Sequence, residues 1–300
     1  MRIYFTVLAG VLGLAFGSFL NVCLSRWPAG ESVAKPRSHC RACGRTLTWW
    51  ENVPLLSWLA LRGRCRTCGV WIGWRYPIVE LAVGALWAYD VWRFAFALPK
   101  LGLSIWGFNF LVVCFLGPFS LLWLLVALAV LDAEHLWLPD KLTLPSILPG
   151  VFVAAIYSYF FAGSIVTPVS FANFFLSPSM QSFWLERFFS ILLSAGLVLL
   201  IRWLYQLVRH REGIGLGDAK LMAMLGAWLG LEGALLAFAL GILMGAVVGL
   251  VVLARGARAG TKNPALAKLP LGTFLCIGGI VSSLWGQPIL AAYMRWAGFN

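Results

Sequence analysis

An all-α, polytopic membrane protein with a soluble insert is the fold class this sequence predicts, and three observations predict it. The chain of 300 residues is 61% hydrophobic and only 11% charged, with a mean hydropathy of +0.87. A soluble domain is nearer a quarter charged, and a core of this size could not hide so much apolar surface. The apolar residues fall in runs of about twenty, the length that crosses a bilayer as helix. The polar residues gather instead in one stretch, 26–76, which also holds two pairs of cysteines.

About eight transmembrane helices are expected, near 3–24, 77–98, 108–131, 142–163, 184–208, 219–231, 234–254 and 270–293. The first reads as a span and not as a cleavable signal: its apolar run is too long, one Arg precedes it and no small-residue cleavage site follows. The sixth is short for a full crossing. The expected division is 1–25 as first helix, 26–76 as inserted module and 77–300 as helical bundle. Gly241, Gly245 and Gly249 fall four apart on one helix face, and Gly13 and Gly17 repeat the spacing, which suits close helix approach.

Charge orients the spans, because loops rich in Lys and Arg stay cytoplasmic. An amino terminus outside places most of the 23 basic residues inside: those from Arg26 to Arg75, Lys141, Arg202, Arg209, Arg211 and Lys220, then Arg255, Arg258, Lys262 and Lys268. Arg2, Arg93, Lys100, Arg187 and Arg295 fall outside, and 161–183, at an outer loop, carries no charge before Glu186. The net charge of +12 is thereby accounted for by topology and contact with anionic lipid, and no nucleic-acid partner is expected.

The module carries two C-x-x-C pairs, Cys40/Cys43 and Cys65/Cys68, each followed by Gly and separated by 21 residues. Four thiolates can close a tetrahedral zinc site, and the glycines allow tight turns that aim backbone N–H groups at sulfur. Two disulfides are the alternative, disfavoured in a reducing cytoplasm. Four thiolates leave no open position, so the zinc would be structural and would not activate water. His39 beside Cys40 reads as a loop residue, and Cys23, Cys114 and Cys276 as packing residues within spans.

Eleven carboxylates remain to be sorted. Glu31 and Glu51 belong to the module; Asp90 precedes Arg93 by three residues, a spacing for a local ion pair. Asp132 abruptly ends the uncharged run from Phe110, and Asp218 opens the sixth span at the same expected membrane face. Two aspartates facing each other cannot both ionise. One can then polarise a peptide carbonyl while the other deprotonates water. The alternative is two interfacial carboxylates, hydrated or paired with Lys141 or Lys220. Glu134 would point away from Asp132 on the helix, and Asp140, beyond Pro139, is the reserve candidate. Gly215 and Gly217 supply backbone without bulk beside Asp218, as an extended substrate strand needs, although a simple helix-entry loop reads the same way.

With these residues in place the chain resembles the prepilin peptidases, collinearly over nearly its whole length. The resemblance rests on "GSFLNVCLSRWP" at 17–28, both cysteine pairs, "WENVPLLSWLALRGRC" at 50–65, "RYPIVEL" at 75–81, "LDAEHLWLPDKLTLP" at 131–145 and "GLGDAKLMAMLGAWLG" at 215–230. It implies a G-x-G-D intramembrane aspartyl protease of the bacterial inner membrane, with Asp132 and Asp218 catalytic and facing the cytoplasm. Its substrates would be prepilins or pseudopilins, cut after Gly behind a short basic leader. It further implies N-methylation of the new amino terminus with S-adenosylmethionine, for which no residues are assigned. One departure is "LPLGTFL" at 269–275, with Thr273 where the family usually has a second Pro; its expected bearing is on packing of the last span. A transporter would hold its charges near the midplane, and here they gather at one face. A scaffold of a secretion or pilus machine would tolerate loss of either aspartate.

Overall fold

The computed structural model describes residues 2–97, 107–161, 180–210, 215–258 and 269–298. These are helical apart from the module and short connections, and no β-strand occurs among them. The helices are α1 (Arg2–Arg26), α2 (Leu56–Ala60), α3 (Arg75–Ala97), α4 (Gly107–His135), α5 (Asp140–Thr143), α6 (Ile147–Phe161), α7 (Met180–Arg209), α8 (Leu216–Arg258) and α9 (Leu271–Trp296). Five of them are long and apolar enough to cross a membrane: Arg2–Arg26, Leu116–His135, Phe183–Arg209, Leu216–Arg255 and Leu271–Trp296. The expected spans at 77–98 and 142–163 correspond to α3 and α6, which are helical without meeting that measure. The two expected at 219–231 and 234–254 are two helices that meet at a kink at Gly230, whose φ of 74° and ψ of 177° no helix contains; they are labelled together as α8. Arg211, Lys262, Lys268, Lys100, the uncharged stretch 162–179 and the side chain of Cys114 lie outside the described residues.

The chain divides into two compact units, 1–127 and 128–300, with the boundary inside α4. In the first, α1 packs on α3 through the small residues the spacing predicts. A β-carbon on Gly13 would stand 2.8 Å from the Gly84 Cα, and one on Gly17 would stand 2.7 Å from the Glu80 Cα. Only hydrogen at these positions lets the two backbones meet. Phe16, Trp87 and Phe119 continue the contact, the last two stacked with centroids 4.3 Å apart. Asp90 is buried and paired with Arg93 at 3.2 Å, as the spacing predicts.

In the second unit α8 is central. Ser194 of α7 donates to the Met222 carbonyl at 2.9 Å, Trp228 donates to Ser146 at 2.9 Å, and Ser282 of α9 donates to Gly233 at 2.8 Å. The Gly241–Gly245–Gly249 face lies against Leu275, Phe274 and Leu269 of the α9 region. Outward, α7 shows Trp184, Leu185, Phe188, Phe189, Leu192 and Leu193 all about half exposed. An apolar face of that extent is stable in lipid and a liability in water.

Candidate active site

The cysteine module is organised from the sequence outward. Its two pairs adopt one turn twice. The Cys40 N–H donates to the Arg45 carbonyl and the Gly44 N–H to the Cys40 carbonyl. Likewise Cys65 donates to Val70 and Gly69 to Cys65, all at 2.8–2.9 Å. Gly44 and Gly69 sit at φ +71° and +68°, where a β-carbon would be strained, so glycine is required for the return of the chain. The backbone N–H groups of Cys68 and Thr67 bring the Cys65 thiol down to about 6. All four sulfurs lie within 4.8 Å of one another, Cys40 and Cys68 at 3.8 Å. A disulfide needs about 2.05 Å, so these are free thiols. Metal–sulfur bonds of about 2.3 Å in a tetrahedron would set sulfurs roughly 3.8 Å apart, which the donor set here fits.

The rest of the module braces these turns. Glu51 accepts from the Thr48 N–H at 2.8 Å and hydroxyl at 2.7 Å and pairs with Arg45 at 2.5 Å. The Thr48 N–H foremost, then its hydroxyl and Arg45, hold that carboxyl down at about 2. Trp58, Trp71 and Trp74 cluster with centroids 4.6–5.9 Å apart. Buried Arg26 donates to the carbonyls of Ser32 at 2.8 Å and Pro36 at 2.7 Å, pinning the entry loop. Glu80 of α3 accepts the Leu55 N–H at 2.8 Å. His39 Nδ1 lies against the Arg37 carbonyl at 3.0 Å, outside the sulfur cluster.

The aspartates occupy the second unit, and both meet a helix N-terminus. Asp132 is in the last turn of α4, which stops because Leu136 turns to φ +51° while its N–H still bonds the Asp132 carbonyl at 2.9 Å. Pro139 then prevents the helix from resuming at Leu138. Asp218 is in the first turn of α8. Its Oδ2 accepts the Gly215 N–H at 3.2 Å, the back-reaching half of a capping box. Asp132 Oδ2 accepts the Thr273 N–H of the α9 first turn at 2.6 Å, and the Thr273 hydroxyl lies 3.2 Å away. Both carboxylates are buried, and helix N-termini favour their charge.

Leu138 links the two. A β-carbon on Gly217 would stand 3.2 Å from Leu138, and one on Gly272 would stand 2.9 Å from both Leu138 and Asp132 Oδ2. Asp132, Gly272, Leu138, Gly217 and Asp218 therefore form one contiguous surface. Cys276, fully buried on α9, lies within electrostatic reach of both carboxylates, and Asp218 within that of Asp132. The sequence treats Cys276 as packing, and its complete burial fits that role. Lys220, an alternative partner for Asp218, instead binds both oxygens of Asp140 at 2.7 Å. Glu134 is turned outward beside His135. Gly215 is exposed beside the Asp218 carboxylate, whereas Gly217 is covered by Leu138. Thr273, Leu138 and the Lys220–Asp140 pair join the site only through the fold. The sequence singles out Thr273 as a departure bearing on packing, Asp140 as the reserve carboxylate and Lys220 as a partner for an aspartate, and nothing in it singles out Leu138.

Residues 11–94 match the bacterial peptidase A24 N-terminal domain, and residues 119–250 match the type IV leader peptidase family. The prepilin leader peptidase/N-methyltransferase of Stutzerimonas stutzeri is 34% identical over 98% of this chain and 95% of its own length. That of Pseudomonas aeruginosa is 34% identical over 97% and 93%, and one from Burkholderia pseudomallei is 37% identical over 93% and 84%. No solved structure gives a significant match. Matched in both segments and end to end by such relatives, this chain belongs to the type IV leader peptidase family.

Proposed function

We propose that the protein is a multi-pass membrane enzyme that removes the leader from type IV prepilins and pseudopilins and methylates the new amino terminus. Family membership supports both activities. The observation that supports the chemistry is Leu138, which lies against Gly217, next to Asp218, and against Gly272, which in turn lies against Asp132. One carboxylate takes a proton from water as its oxygen attacks the scissile carbonyl carbon. The other gives a proton to the carbonyl oxygen. Collapse of the tetrahedral intermediate breaks the C–N bond, and the amine leaves with a proton returned by the pair. Gly215 leaves backbone open beside Asp218, where an extended strand would lie. The methyl transfer, with S-adenosylmethionine as donor by resemblance, is assigned to no residue of this chain.

The reading extends to setting. An arrangement of eight spans with the basic loops inside would put module 26–76 and both aspartates at the cytoplasmic face of the bacterial inner membrane. Impermeant thiol reagents should then label an engineered cysteine at Ser170 from outside and spare one at Gly260; the opposite pattern would reverse the orientation. Cys40, Cys43, Cys65 and Cys68 would hold one structural zinc ion, which closes the module and offers no reactive position.

The test is to incubate the purified protein with a prepilin in detergent or vesicles. Leader removal is read by gel shift and methylation by the mass of the mature amino terminus. An uncut substrate at all enzyme concentrations would defeat the protease reading.

A further inference from the structure

The first N–H groups of a helix have no partner within it, and the positive end of its dipole lies there. In α9, which follows Pro270, one of those groups is spent on Asp132: the Thr273 N–H reaches Oδ2 at 2.6 Å. The Thr273 hydroxyl shares its one proton between the same oxygen, to which it donates at 3.2 Å, and the Ala129 carbonyl, one turn back in α4, at 3.0 Å. Gly272 completes the seat, since any side chain there would meet Oδ2 at 2.9 Å. Asp132 is thus a cap in trans for α9, tied by one residue to the helix that carries it. Among the described residues Asp218 has a looser hold, one N–H from Gly215 at 3.2 Å.

We propose that Thr273 is a positioning residue that holds Asp132 by Oδ2 as the ionised, proton-accepting member of the pair. The shared proton then stays with Asp218. An oxygen that takes a short N–H bond and faces a hydroxyl is engaged as an acceptor and is a poor place for a proton. Among the described residues Oδ1 takes no such bond and is left to receive the proton of water, and Asp218, held there by fewer donors, donates to the carbonyl oxygen. Among the described residues, the other titratable groups whose charge Asp132 influences are Asp218 from α8 and Cys276 from α9. The proposal rests on the aspartate-pair reading above.

Two variants at Thr273 separate positioning from packing. Thr273→Val keeps the shape and the N–H but removes the hydroxyl; Thr273→Ser keeps the hydroxyl and removes a methyl. Prepilin cleavage by Thr273→Val should fall about fivefold in kcat with KM changed less than about twofold, the size of one hydrogen bond to a charged group at the weak end of its range. Thr273→Ser should stay within about twofold of the parent, since it restores the bond. Full activity in Thr273→Val with loss in Thr273→Ser would overturn the proposal in favour of packing. So would a loss that sits in KM alone. A parent enzyme that leaves prepilin uncut would overturn the protease reading and this inference with it, whereas a cutting parent with an indifferent Thr273→Val would overturn this inference alone.

Discussion

In the cysteine module the four sulfurs come from two C-x-x-C turns, and each turn closes with backbone bonds inside a span of a few residues. At the aspartates the groups come from the end of α4, the start of α8, the start of α9 and the connection carrying Leu138, up to 141 positions apart in the chain. The first region is local structure repeated and then brought face to face. The second exists only after helices pack, and its precision depends on residues that pay no local rent. Damage should accordingly act on stability in the module and on rate at the aspartates.

The largest expected effect sharpens that contrast. Asp132→Asn or Asp218→Asn should lower cleavage by at least about 1,000-fold while leaving abundance and metal content unchanged. The double substitution should be no worse than either single one, because neither group can do the other's work. Substantial activity in Asp218→Asn would end the two-aspartate mechanism.

Replacing Cys40 or Cys65 with Ser should do the opposite. Elemental analysis of the parent should find about one zinc per chain, and the variants should lose it together with most of the folded protein. A well-folded parent devoid of metal would remove zinc from the account. Next in size comes Lys220→Met, which frees Asp140 and with it the connection that holds Leu138 between the two glycines. Cleavage should drop by roughly tenfold through misplacement, while stability changes by less than about 1 kcal/mol because the pair is partly exposed. Equal losses of rate and stability would blur the distinction between the regions.

The smallest effect concerns Glu51. Its carboxyl, buried and held down at about 2 against an ordinary 4.5, contributes stability that is complete above about pH 4.5 and fades as the pH falls toward 2. Glu51→Gln should therefore destabilise the module by about 1–3 kcal/mol at neutral pH. The difference from the parent should shrink below pH 4.5. A pH-independent difference, measured by thermal unfolding, would show that shape and not charge is what Arg45 and Thr48 hold.

Much of this was legible beforehand, and the reasons differ by region. Knuckle turns are encoded within a few residues, so Cys–x–x–Cys–Gly announces its own geometry. Asp132 and Asp218 stood out because a carboxylate beside lipid is costly and so conspicuous. The close approach at Gly13 and Gly17 was readable from spacing alone. By contrast, Lys220 lies two residues from Asp218 in sequence, and nothing local says that it turns to Asp140 instead. Leu138 looks like any apolar residue before a proline until α8 and α9 present Gly217 and Gly272 to its side chain.

What the sequence determined by itself is the apolar solvent, the cysteine turns, the family and which two carboxylates to propose, because periodicity, burial cost and turn chemistry are short-range properties. The tertiary structure alone decided which N–H groups those carboxylates meet. A helix N-terminus offers its free donors to whatever packs against it, and only the packing of α9 on α4 chose Asp132 as the acceptor for Thr273.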